Sequence, residues 1–352
     1  MVSVIASPAA WMGSISTEIA SMRLDELLLP GTHDSGSYRL DDRLVPDQGL
    51  NPSIRRVVQV LRTLHAPFPY EFVKKWALAQ SMDISGQLEH GIRFLDLRPV
   101  FDQNVWKTAH TLIGDDLDAI FGQIASFASK YPSEVIVVQL SNVIGGSLRD
   151  RHDLLASIER KLADCIYSRS SDGFVLTYQE MIQQNKRVVV AGSHLPISNH
   201  SGIWPASIFE GEYTNQDSLE QMFSRNAEKI RSYGGDGRLF QLYWTLTAQS
   251  IDIEKSLLIP IHHPSSLNEL ASIANLQFHY FSNSFKNRYR LGNILLMDFF
   301  EMTNLVSFAK EQNVQASVCF DERPYRSVDG CRSMNCSLAF PRHVCHFTCG
   351  LC

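Results

Sequence analysis

Cysteine is nearly absent from most of this chain, with Cys165 the only one among the first 318 residues. No apolar run reaches the roughly 18 residues a membrane-spanning helix needs, which excludes a transmembrane helix. Basic residues are in deficit. Lys and Arg number 32 against 37 Asp and Glu, for a formal charge of −5 and a pI near 6.2. No basic cluster dominates any segment, so nucleic acid is not an expected partner. A protein that worked by coating an anionic membrane would also be more basic. Internal repeats and low-complexity stretches are missing. The N-terminal MVSVIASPAAWMGS has neither a positive n-region nor a long apolar core, so it is not read as a complete signal peptide.

What is present fits a folded protein. Hydrophobic residues make up 44% and charged residues 20% of 352 positions, enough for one large domain or two ordinary ones. The other six cysteines, Cys319, Cys331, Cys336, Cys345, Cys349 and Cys352, fall within the last 34 residues. Such density means a disulfide knot or a metal site. Only Cys349-Gly350-Leu351-Cys352 has the paired spacing of a zinc ligand set, so disulfides are favoured. An oxidising compartment, and hence a secreted or extracytoplasmic location, is expected. Composition shifts near 315–319, which divides the chain into residues 1–316 and 317–352.

Short β-branched runs recur along the first part: Glu26–Leu29, Ile92–Leu97, Trp106–Ala109, Val135–Leu140, Val188–Ala191, Leu239–Tyr243 and Asn293–Asp298. Amphipathic stretches such as Leu117–Tyr131 and Asp153–Ile166 lie between them. Buried strands alternating with helices predict an α/β fold with a parallel sheet, best read as a TIM-like (β/α)8 barrel with room for irregularity. His33 and Asp34 follow the first run, Asp96 and Arg98 end the second, His110 follows Trp106–Ala109, and Asp298 ends the last. A barrel gathers its strand ends on one face.

Those blocks resemble the X region of phosphatidylinositol-specific phospholipases C. Leu28-Leu29-Pro30-Gly31-Thr32-His33-Asp34-Ser35-Gly36 is similar to its opening, and Gly91-Ile92-Arg93-Phe94-Leu95-Asp96-Leu97-Arg98 to its second block. Ala109-His110, Pro132-Ser133-Glu134-Val135-Ile136-Val137-Val138 and Met297-Asp298-Phe299 match later ones, although Thr111 stands where the family often has Gly. The resemblance spans residues 11 to about 305. It implies His33 as general base oriented by Asp298, His110 as general acid assisted by Asp34, Arg98 as phosphate clamp, and Asp96 as part of the charge balance. Calcium-dependent members carry an acidic residue where Arg98 stands and Asn where Asp34 stands, so independence of metal and cofactor is expected. The chemistry suits those residues: histidine titrates near neutrality and arginine grips phosphate bidentately. The implied substrate is a phosphatidylinositol-type lipid met transiently at a membrane surface, cleaved to diacylglycerol and a cyclic inositol phosphate. The Lys and Arg with which bacterial members grip inositol fall near Ser141 and Ser193, both uncharged, which leaves the head group open. Alternatives are a catalytically silent binding protein or a metal-dependent glycerophosphodiesterase-like barrel, although no Glu/Asp cluster stands near His33.

The tail resembles a ShK toxin-type (ShKT) domain through its ending Cys345-His346-Phe347-Thr348-Cys349-Gly350-Leu351-Cys352. The resemblance implies the pairing Cys319–Cys352, Cys331–Cys345 and Cys336–Cys349, among fifteen connectivities that six cysteines allow. The channel-blocking Lys-Tyr pair of some members is lacking between Cys336 and Cys345. A stabilising appendage, or one that docks an unidentified protein, is the expected role. Cys165 is left unpaired on what reads as the apolar face of a helix.

Overall fold

The computed structural model describes residues 7–318, apart from 51–54, 56–57, 60–61, 64, 66–67, 234–236, 250–252, 254–255, 257–263 and 286–291. The cysteine-rich tail, its three expected disulfides and the expected domain boundary therefore lie outside or at the limit of the described residues. Eight strands form one curled sheet in which every pairing is parallel. In sheet order they are β8 (Ile203–Pro205), β7 (Val188–Gly192), β6 (Ile136–Leu140), β2 (Phe94–Leu97), β1 (Leu29–Thr32), β11 (Ile294–Met297), β10 (Leu239–Trp244) and β9 (Phe209–Glu210). This is the expected barrel, left open between β8 and β9. Only a short 3-10 turn, Ala206–Ile208, joins those two strands, and no pairing closes them among the described residues.

Alternate strand residues face opposite sides. Leu29, Phe94, Val137, Val189, Ile294 and Leu296 fill the barrel interior, where Trp11, Met12 and Ile15 plug its base. Leu95, Leu97, Ile136, Val138, Leu295 and Met297 face outward onto the helices. These include α1 (Tyr70–Ala77), α2 (Ile84–Glu89), α3 (Leu117–Lys130), α4 (Leu148–Lys161), α5 (Tyr178–Gln183), α6 (Leu219–Ser232), α7 (Leu267–Asn275), α8 (Phe278–Phe285) and α9 (Leu305–Val318).

Three local expectations are corrected. The first strand is Leu29–Thr32 and not Glu26–Leu29; Leu24–Glu26 instead forms a 3-10 turn in which Glu26 accepts from the Arg23 N–H at 2.8 Å. Pro30-Gly31 looks like a turn, yet the Pro30 carbonyl accepts from the Arg93 N–H at 2.8 Å. A Cβ on Gly31 would stand 3.1 Å from that of Phe94, so the close strand contact favours glycine. Second, α4 starts at Leu148, ahead of the expected Asp153, because Ser147 and Asp150 form a reciprocal capping box. The helix ends at Lys161, so Cys165 lies in the turn beyond it, buried and free. Third, Trp106–Ala109 is not a barrel strand. It belongs to β4 (Val105–His110) of a separate antiparallel sheet with β3 (Pro99–Asp102) and β5 (Leu112–Asp116). Gln103 and Asn104, both at positive φ, make the two-residue turn between β3 and β4.

A buried ion pair locks the base of the barrel. Arg93 donates to Glu134 at 2.8 and 2.6 Å, and its remaining N–H groups reach the carbonyls of Ala9, Leu88 and Ile92. Glu134 in turn accepts from the backbone N–H groups of Met12 and Gly13. Both side chains are sealed from water. Removing one partner strands the other's charge, so Glu134→Gln is expected to cost about 3–5 kcal/mol of unfolding free energy in urea titration. A loss under about 1 kcal/mol would show that the N-terminal segment does not depend on this pair.

Candidate active site

The parallel strands end around the mouth of a cavity of about 590 Å³, lined among others by His33, Arg98, His110, Tyr213, Thr247 and Asp298. His33 follows β1 directly. Its backbone N–H bonds to the Met297 carbonyl at the end of β11, and its Nδ1 lies 2.9 Å from Asp298 Oδ1. Asp34 takes a left-handed conformation, φ 46°, which turns its carboxylate under the cavity floor, and its N–H donates to Asp96 Oδ2 at 3.2 Å. Asp96 stands in β2, where Ser141 donates to its other oxygen at 2.7 Å. Arg98 comes one residue after β2. Its Nε lies 2.5 Å from Asp34 Oδ1, a close ion pair although not an aligned hydrogen bond, and its Nη2 lies 3.5 Å from Asp96 Oδ2.

The sixth residue arrives from outside the barrel. The antiparallel sheet carries His110 over the mouth as the last residue of β4. Its Nδ1 donates to the Ala77 carbonyl at 2.7 Å, which aims Nε2 at Asp34 Oδ2, 3.5 Å away. The same oxygen also meets His33, whose Nε2 lies 3.5 Å from it. The structure thus brings all six sequence-predicted site residues together, with Asp34 central to the two histidines and the arginine.

Charge organises the floor. Burial opposes the charged form of Asp34, but Arg98, His110 and His33 outweigh it and hold the carboxyl below its usual range. Burial likewise opposes charge on Arg98, and Asp34 and Asp96 overcome it, so the guanidinium stays ionised. For His33, burial lowers the pKa while Asp34 and Asp298 push it up to about 9. Arg98 Nη2 sits 2.8 Å from His33 Nε2, a hydrogen bond that only the neutral ring can accept. The carboxylates make His33 a stronger base than free histidine, and Arg98 opposes them, since it can donate to Nε2 only when the ring is neutral.

Several site residues gave no signal in the sequence. Gln80, fully buried, donates to the carbonyls of His33 at 2.8 Å and Met297 at 3.0 Å. Ala79 accepts from the Phe299 N–H, and Ala77 accepts from His110, so residues 77–80 tie both histidines and the end of β11 to one segment. Tyr213 stacks on His33 with ring centroids 5.2 Å apart at 17°, and Tyr243 meets the same ring edge-on at 6.1 Å. Neither Ser141 nor Ser193 lines the cavity.

A cation would find ligand atoms in His33, Asp34 and Asp96, which lie within 4.8 Å of one another. The Arg98 guanidinium already contacts all three. The residues therefore fit a resident arginine better than a divalent ion, which wants 6–8 oxygen ligands.

No family model matches the chain. Human PI-PLC X domain-containing protein 1 is 26% identical over 279 residues, covering 76% of this chain and 79% of that protein. Human PI-PLC X domain-containing protein 3 is 22% identical over 323 residues, 89% of this chain and 95% of that one. The chain resembles the PI-PLC X domain family. In fold it is similar to the phosphatidylinositol-specific phospholipase C of Listeria monocytogenes, with a TM-score of 0.62 at 19% identity over 87% of this chain and 98% of that one. It is also similar to a mutant of the Staphylococcus aureus enzyme, with a TM-score of 0.59 at 17% identity and the same coverage. That PI-PLC-like fold places the mouth of the cavity at the C-terminal ends of the parallel strands, the usual position of a barrel's chemistry.

The raised pKa of His33 has a consequence for stability. A group whose pKa rises on folding stabilises the folded state fully below its ordinary value, 6.5, and loses that contribution as pH climbs through about 9. Relative to His33→Gln, the wild-type chain should lose up to about 3 kcal/mol of stability across that window in urea titrations. Parallel pH profiles for the two proteins would show that His33 carries no such proton.

Proposed function

We propose that the chain is a phosphodiesterase of the phosphatidylinositol-specific phospholipase C type, which works without a metal ion. The observation that carries this reading is the Arg98 guanidinium, held by Asp34 and Asp96 against His33, with His110 reaching the same Asp34. In the reaction, a lipid phosphodiester places its phosphate against Arg98, which draws the guanidinium off His33 Nε2 and frees that nitrogen. The freed nitrogen takes the proton from the inositol hydroxyl next to the phosphate, and that oxygen bonds to phosphorus. The phosphorane's charge falls on Arg98. His110 Nε2 delivers a proton to the glycerol oxygen as its bond to phosphorus breaks. Diacylglycerol leaves, and a cyclic inositol phosphate remains. Asp298 orients His33 through Nδ1, and the Ala77 carbonyl fixes the ring of His110, so both Nε2 atoms face the substrate.

The nearness of His33, Asp34 and Asp96 favours a second reading, a metal-dependent phosphodiesterase. Phosphorus NMR of phosphatidylinositol in detergent micelles with excess EGTA separates the two. A cyclic phosphate signal from the wild type and none from His33→Ala is expected, with Arg98→Lys slowed by about 10²–10³-fold. Activity abolished by chelator and restored by calcium would favour the metal reading. No turnover of any phosphodiester lipid would favour a silent binding protein.

For the tail we propose a disulfide-bonded ShKT-like domain on a secreted protein. Six cysteines in 34 residues and the ending Thr348-Cys349-Gly350-Leu351-Cys352 support it. Mass spectrometry of non-reduced peptides should recover the pairs Cys319–Cys352, Cys331–Cys345 and Cys336–Cys349. Six free thiols in protein made through the secretory route would overturn it.

A further inference from the structure

Asparagine followed two residues later by Ser or Thr, with any residue but proline between, is the acceptor pattern for an N-linked oligosaccharide. The chain holds it at Asn199-His200-Ser201 and at Asn335-Cys336-Ser337, while Asn51-Pro52-Ser53 is excluded by its proline. Such tripeptides arise by chance, so the surroundings must decide. Asn335 lies outside the described residues, and Asn199 lies within them.

Asn199 closes the 3-10 turn Ile197–Asn199, in the loop that leads from β7 to β8. The two residues that the pattern requires, Asn199 and Ser201, are exposed, and the His200 between them is buried. Two residues of α4 account for this alternation. One carboxylate oxygen of Glu159 lies 2.7 Å from His200 Nδ1, and the other accepts from the Gly202 N–H at 2.8 Å. His152 meets the far side of the same ring, its Nδ1 3.1 Å from His200 Nε2. The loop is thereby pinned to α4 through its middle residue, and the residues on either side of His200 face water. A bulky, hydrated group attached there displaces nothing from the core. None of residues 199–201 lines the cavity that holds His33 and His110. Ile203 then begins β8, which is paired on one side only among the described residues. Exposed sheet edges invite association unless something covers them.

From this geometry, and resting on the secreted reading of the chain, we propose that Asn199 carries an N-linked oligosaccharide. The donor is an oligosaccharide on a lipid pyrophosphate. Asn199 Nδ2 bonds to the anomeric carbon of the first sugar and gives up one proton. The bond from that carbon to the pyrophosphate oxygen breaks, and the lipid pyrophosphate leaves with the electron pair. Ser201 supplies the hydroxyl that completes the acceptor.

The test is peptide mass spectrometry of the full chain made through a eukaryotic secretory route. Peptide N-glycosidase in heavy-oxygen water should convert position 199 to labelled aspartate. The label should be lost in Ser201→Ala and kept in Ser201→Thr. The threonine variant and the wild type keep the test informative if the alanine variant is not secreted. A label that persists in Ser201→Ala would overturn the proposal, because spontaneous deamidation needs no acceptor hydroxyl. Unmodified Asn199 in protein whose tail cysteines are paired would overturn it and leave the secreted reading standing. Unmodified Asn199 together with free tail thiols would overturn both.

Discussion

The ion pair between Arg98 and Asp34 is the constraint around which the site is arranged. A guanidinium partly out of water is costly unless paired, and Asp34 and Asp96 supply the pairing. Once fixed, the cation occupies the space among His33, Asp34 and Asp96 that would otherwise suit a metal. It also lies 2.8 Å from His33 Nε2. Asp34 has the complementary task. Buried within reach of both histidines, it lies 3.5 Å from the Nε2 atom of each.

The barrel alone could not assemble this arrangement. Five of the six polar residues come from the ends of β1, β2 and β11, brought side by side by parallel pairing. The sixth, His110, comes from an antiparallel sheet inserted after β2, which folds back over the mouth and brings its own apolar cluster with it. The segment 77–80 then joins the two halves, since its carbonyls and the Gln80 amide reach His110, His33 and β11 together. At the opposite end, the Arg93–Glu134 pair seals the base with the N-terminal segment. The base beneath the cavity is therefore fixed by a buried, hydrogen-bonded ion pair.

Much of this was legible in the linear chain. The apolar runs at Val135–Leu140, Val188–Ala191, Leu239–Tyr243 and Asn293–Asp298 announce buried parallel strands, because a strand covered on both faces has no polar alternation. His33, Asp34, Asp96, Arg98, His110 and Asp298 could be picked out because each ends or follows such a run within a block that resembles a known family. Other features could not be read. Pro30-Gly31 carries a turn signal that neighbouring strands override. Trp106–Ala109 has strand propensity, but nothing local says which sheet it joins. Gln80, Tyr213 and Tyr243 have no motif, since their roles consist of contacts with residues far away in the chain.

The sequence by itself determined the alternation of strands and helices, the identity of the ionisable groups and the confinement of six cysteines to the tail, because these depend on local periodicity and residue type. Only the tertiary structure decided that β8 and β9 leave the barrel open, that His110 enters from a second sheet, and that Arg98 rests on His33. Those outcomes depend on pairings between segments tens to hundreds of residues apart. Such pairings are chosen by the packing of the whole chain and not by any window of it.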